Sequence, residues 1–267
     1  MATDFGSVVA APPSGRGKAL ILDHRAYAQK VILRGGSIPW DDLALYTNFF
    51  DQAQELLRPD AALVDLGAFV DHLLAADHSL VDAMSARSRT GFAFKTLLSD
   101  ETVASRTAEF ASVVTGTAKS PIVLQIPSPL RWLARTHEIV GAGAADIERA
   151  HGENMSAYLA AWMRHFSGLP VALLLLDGRR ADYPDLTADD LSAYTPVINA
   201  AQHYRWAVGL RADDRVDLAD GSVKGVVLPA EHWLSDEPTL PEGDFLLAEL
   251  PPNAEPETVL ARIAHIA

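Results

Sequence analysis

The sequence predicts an α/β fold of the closed (β/α)8, TIM-type barrel class, on three observations. The chain has 267 residues, a length typical of one barrel-sized domain. Short, continuous apolar runs recur along it, as suits parallel strands covered on both faces. Eight such runs can be counted, the number that closes the barrel, and helical periodicity lies between most of them. A doubly wound open sheet is the alternative. Residues 1–17, with their Pro, Gly and Ser, read as a flexible N-terminal tail, and 18–267 as a single barrel domain.

The eight predicted strands are 19–23, 61–65, 92–97, 122–126, 171–176, 206–210, 223–228 and 245–250. Between the first two, Leu43, Tyr46, Phe50, Ala53 and Leu57 form one helical stripe. After the second, Phe69, Leu73, Leu80 and Met84 do the same, with a charged break at Asp77. Ser99 is placed to cap the next helix, with Asp100 and Glu101 at its positive end. The long crossover 129–168 holds two helices, the second carrying Met155, Tyr158, Leu159, Trp162 and Phe166 on one face. Thr187 and Asp190 open the helix after strand five. The last helix has Pro256 in its first turn and Val259, Leu260, Ile263 and Ile266 along its core side. Segments 211–221 and 229–243 lack helical periodicity, so the barrel is expected to have shortened connections after strands six and seven.

Composition narrows the function. A net charge of −13 leaves no basic face for phosphate backbones, so no nucleic-acid partner is expected. No run reaches the roughly 18–20 apolar residues of a membrane span, and no basic amphipathic stretch suggests a membrane surface. Residues 1–17 lack the pattern of a secretory signal, so a cytoplasmic location is expected. With no cysteine in the chain, a disulfide framework, thiolate nucleophiles and sulfur-ligated zinc or iron–sulfur sites are excluded. The histidines are scattered, and neither a metal nor another cofactor is predicted. Self-association into a homodimer is left open.

In a (β/α) barrel, chemistry sits where the strands end. Five of the seventeen arginines fall at or just beyond predicted strand ends in this acidic chain. Guanidinium groups grip carboxylates and phosphates with paired hydrogen bonds, which points to a small anionic substrate. Arg25, Arg131, Arg179 and Arg211, with Gln125, are the candidate substrate-binding residues. Asp23 and Asp177 are the candidate proton carriers, with His24 or His232 as partner. Alternation along a strand would let Asp23 and Arg25 face inward while His24 packs outward. Lys95 interrupts the apolar run 92–97; it is either a Schiff-base lysine or a counter-charge for Asp65.

The stretch Val123-Leu124-Gln125-Ile126-Pro127-Ser128-Pro129-Leu130 leads through a helix with Tyr158 and Trp162 to a strand ending in Asp177. About 55 residues in this arrangement resemble the superfamily of uroporphyrinogen decarboxylase and cobalamin-independent methionine synthase. Ser128 stands where that pattern has Gly, and Gly178 follows Asp177 where the synthase pattern has Glu. The synthase branch binds zinc through cysteines that this chain lacks. The decarboxylase branch needs no metal and holds polycarboxylates with arginines, which suits the strand-end arginines better. Its long N-terminal arginine-rich signature is not recognisable here, so the resemblance implies the barrel more than any reaction. The resulting expectation is a metal-free barrel enzyme performing lyase-type acid/base chemistry on a small carboxylate or phosphate. An aldolase-like reaction through Lys95 and a non-catalytic ligand- or partner-binding barrel are the rivals.

Overall fold

The computed structural model describes residues 4–143 and 147–266. The chain opens with α1 (Phe5–Ala10), β1 (Ala19–Asp23), α2 (Arg25–Val31) and α3 (Leu43–Leu57). After β2 (Ala61–Asp65), the crossover carries α4 (Leu66–Ala76), α5 (His78–Ser85), α6 (Phe92–Leu98) and α7 (Glu101–Thr117). Next come β3 (Ile122–Pro127), α8 (Pro129–Ile139), α9 (Arg149–Trp162), β4 (Val171–Asp177) and α10 (Thr195–His203). The chain continues through β5 (Ala207–Arg211), β6 (Arg215–Leu218), β7 (Lys224–Leu228), α11 (Glu231–Leu234), β8 (Phe245–Glu249) and α12 (Pro256–His265).

Among the described residues eight strands close a barrel in sequence order, β1 pairing with both β2 and β8. The pairings are parallel except those of β6, which runs antiparallel to β5 and to β7. The barrel is thus mixed rather than all-parallel. Two sequence expectations fail in opposite directions. Residues 92–97 are a helix, with Ala93, Phe94, Leu97 and Leu98 buried at helical spacing. The short segment Arg215–Leu218 is a strand, its Val216 and Leu218 buried and its Arg215 and Asp217 exposed. One false strand and one missed strand leave the count at eight.

Capping carboxylates start many of the helices. Asp42, Asp65, Asp77 and Asp100 each accept backbone N–H groups from the first turn of the helix that follows. Such caps satisfy donors that the helix itself cannot. Asp100, not Ser99, caps α7. Ser128 caps α8, whose first residue is Pro129.

Alternation along the strands separates two environments. Ile21, Leu63, Val123, Leu173, Leu175 and Leu247 pack inside the barrel. Leu20, Leu22, Leu246 and Ala248 face outward onto Val259 and Ile263 of α12. Residues 5–10 of the expected tail are not free but form α1. Phe5 and Val8 of α1 are buried in the interior cluster, and the Phe5 ring meets Phe245 edge-to-face at 5.1 Å. Because Phe245 is the first residue of β8, α1 plugs the end of the barrel opposite the mouth. Gly225 makes room there: a Cβ at that position would lie 2.3 Å from Phe245 Cζ. No helix among the described residues is long and apolar enough to cross a membrane.

Candidate active site at the barrel mouth

Continuing the inward-facing rows to the carboxyl ends of the strands replaces apolar side chains by Asp23, Asp65, Gln125, Asp177, Arg211 and Glu249. Strand register brings several of them side by side: Asp23 is opposite Glu249, Asp65 opposite Gln125, and Asp177 opposite Arg211. The following loops and helices add Arg25, Arg131 and Arg179. A cavity of about 220 Å³ opens here, lined by Arg25, Asp65, Arg131, Arg135, Asp177 and Arg179 among others.

Asp177 is the anchor of the arginines. Arg179 holds it with Nε on Oδ1 at 2.9 Å and Nη2 on Oδ2 at 2.8 Å, and Arg131 Nη1 reaches Oδ2 at 2.5 Å. Arg131 Nη2 also bonds Asp182 at 2.5 Å. Arg179 further contacts Glu249. Burial alone would raise the Asp177 carboxyl, but the hydrogen bonds and charge of Arg179, with Arg131 and Arg211 behind it, hold it down at about 2.

Asp65 lies in the same cavity under opposite forces. It caps α4 through Oδ1, which accepts the Ala68 N–H at 3.1 Å. Among the described residues its one ion pair is with Arg25, whose Nη2 lies 3.6 Å from Oδ2. Burial pushes Asp65 up to about 6, with Asp23 and Asp177 adding repulsion that Arg25 only partly offsets. In Arg25 burial opposes the charge, yet Asp65 and Asp23 hold its guanidinium above its ordinary value.

Arg211 is buried beneath this layer. It donates to Gln125 Oε1 and to Glu249 Oε2, both at 3.2 Å, and lies 3.8 Å from Asp23. Burial and the nearby Arg179 pull it below its ordinary value. The buried Nε atoms of Arg25 and Arg211 find no acceptor among the described residues.

The expected residues therefore divide. Asp177, Arg25, Arg131 and Arg179 meet in one cavity, with Asp23, Arg211 and Gln125 directly below or beside them. His24 does not line the mouth cavity but a much smaller pocket beside it, with Asp23, Arg25 and Asp65. Its ring packs on Phe50 of α3, with Nε2 2.6 Å from the Gln54 amide nitrogen, and burial lowers it to about 4 despite Asp23. His232 is buried beside Trp233 on α11, its Nδ1 2.9 Å from the Thr239 carbonyl oxygen, and it does not line the mouth cavity.

Lys95 is displaced furthest, because its segment is helix α6 on the outer wall. Its ammonium sits over the Tyr158 ring, not inside the barrel and not against Asp65. Asp65 is the site residue that sequence reasoning passed over. Its position at a strand end was visible, but its isolation from strong cationic partners was not. Among the described residues, no three His, Asp or Glu side chains converge as metal ligands would. Compared with protein-family models, with curated proteins and with solved structures, the chain matches none.

Proposed function

We propose that this protein is a variant (β/α)8 barrel enzyme that binds a small carboxylate or phosphate at its mouth and moves a proton through Asp65. The observation that carries this reading is the pair Asp65 and Asp177. Two carboxyl groups line one small cavity, one raised to about 6 and the other held at about 2. Groups driven apart in this way take different roles. Asp65 is poised to accept or deliver a proton near neutral pH. Asp177 stays ionised and fixes the guanidinium groups of Arg131 and Arg179.

The arginines give the cavity its ligand preference. Arg25, Arg131, Arg135 and Arg179 line it together, which suits an anionic ligand. A bound anion would be gripped by guanidinium groups while Asp65 works on an adjacent C–H or leaving group. Lyase-type bond cleavage suits this set, as does the resemblance to the decarboxylase branch, whose polycarboxylate substrates are held by arginines.

The test is a thermal-shift screen of small mono-, di- and tricarboxylates and phosphate esters, followed by proton NMR of each stabilising compound incubated with the protein. A stabilising anion should be converted, and Asp65→Asn should retain its binding but lose turnover by about a hundredfold or more. Wild-type turnover in Asp65→Asn, or no stabilising anion, overturns the reading. The ion-paired state of Asp23, Asp65, Asp177 and Glu249 favours a second reading, a barrel that binds an anion without converting it. Stabilisation without conversion of any compound would identify that outcome.

A further inference from the structure

A larger cavity, of about 580 Å³, lies on the outer wall and shares no lining residue with the mouth. It is formed by the turn before α6, by α6 itself, by α8 and by the first turns of α9. The turn is pressed onto α9 at Gly91, which has φ +81° and where a Cβ would lie 2.9 Å from Met155 Sδ. The Gly91 N–H donates to His137 Nε2 at 3.3 Å. Backbone packing therefore fixes the shape of the wall.

Its charge runs against the rest of the chain. With 35 acidic and 22 basic residues, carboxylates are plentiful, and the mouth arginines are all ion-paired. Arg89 and Lys95 nevertheless line this cavity without a carboxylate beside them among its described lining residues. Lys95 Nζ stands 4.2 Å from the centroid of Tyr158, a cation–π contact that holds the ammonium at the cavity wall. His151 Nδ1 accepts the Glu148 N–H at 3.1 Å, which leaves Nε2 as the protonated, donating nitrogen. Asn154 and Thr90 add further donors, while Leu133, Met155 and the Tyr158 ring supply apolar surface.

We propose that this cavity is a second ligand site, for a phosphate-bearing organic molecule with an apolar body. Arg89, Lys95 and His151 present more donors than the two oxygens of a carboxylate can use, and a phosphate group offers three. The volume and the apolar wall exceed what a bare phosphate would fill. The site is independent of the proton chemistry assigned to the mouth.

Calorimetric titration of the full chain with phenyl phosphate and with inorganic phosphate tests this. Variants Lys95→Met, Arg89→Gln and, for the mouth, Arg131→Gln are compared, each checked for its melting temperature. Phenyl phosphate should bind saturably, at least tenfold tighter than inorganic phosphate, and more weakly at high salt. Lys95→Met, which keeps the length and packing of the side chain, and Arg89→Gln should each weaken it tenfold or more. Arg131→Gln, which weakens anion binding at the mouth, should leave the binding component that depends on Arg89 and Lys95 within twofold. The proposal fails if phenyl phosphate does not bind the Arg131→Gln protein, or if inorganic phosphate binds that protein as tightly. It also fails if Arg131→Gln, rather than the other two, removes the binding. If Lys95→Met lowers the melting temperature sharply, Arg89→Gln decides.

Discussion

Arg179 lies two residues beyond Asp177 and folds back to grip it with two parallel hydrogen bonds, of 2.9 and 2.8 Å. The side chains are 22% and 9% exposed, so the pair is largely withdrawn from water and its geometry is set by the end of β4. Removing the carboxylate would leave Arg131 and Arg179 without their shared anion. Asp177→Asn should therefore destabilise the protein by about 3 kcal/mol at neutral pH, read from denaturant unfolding. The carboxyl value is depressed in the folded state, so this contribution is present above the unfolded value near 4 and is lost as pH falls through about 2. Below that range wild type and variant should converge.

Asp65 and His24 shape stability in the same pH window with opposite signs. Asp65 is raised to about 6, so the folded state holds its proton more tightly. Its contribution is full below about 4 and is lost as pH rises through 6. His24 is lowered to about 4, so the unfolded state binds its proton more tightly and stability rises between pH 4 and 6.5. In the wild type the two slopes oppose one another. Asp65→Asn, which keeps a capping side chain, should show stability rising from pH 4 to 6.5 by on the order of 2 kcal/mol. His24→Gln should show it falling over the same range, and the double variant should be nearly flat. Parallel curves for all four proteins would contradict these assignments.

The plug at the closed end should be as costly to disturb as ordinary core. Phe5 is fully buried against Phe245, and Phe5→Ala should cost about 3 kcal/mol through lost burial and the void left behind. Deleting residues 1–10 should cost at least as much. A truncated protein with the wild-type melting temperature would return the segment to the status of a tail.

Gly225→Ala tests the same contact from the strand side. The added methyl would fall 2.3 Å from Phe245 Cζ, so the ring must move into the space that Phe5 occupies. A loss of about 1–3 kcal/mol is expected. In a Phe5→Ala background the ring has room to yield, and the further loss should be smaller than in the wild type.

By itself the sequence determined where the barrel's main strands lie and what stands at their ends. The runs at β1, β2, β3, β4, β5 and β8 are largely buried strands with few polar interruptions, and β7, half-buried, is still an apolar run after Lys224, so composition marks them. The residues that close each run, from Asp23 to Asp177 and Arg211, were legible as mouth residues because alternation fixes which side they face. Only the tertiary structure decided the rest. The run at 92–97 is too short for periodicity to separate a buried helix from a buried strand, so Lys95 moved from the barrel to its outer wall. The strand Arg215–Leu218 buries only Val216 and Leu218 inward, too little pattern to be seen before its antiparallel partners closed the barrel around it. The division of labour between Asp65 and Asp177 lies further still from sequence. Both are strand-end aspartates, and what separates them is that folding delivers Arg179 and Arg131 to one and leaves the other desolvated beside Arg25 alone.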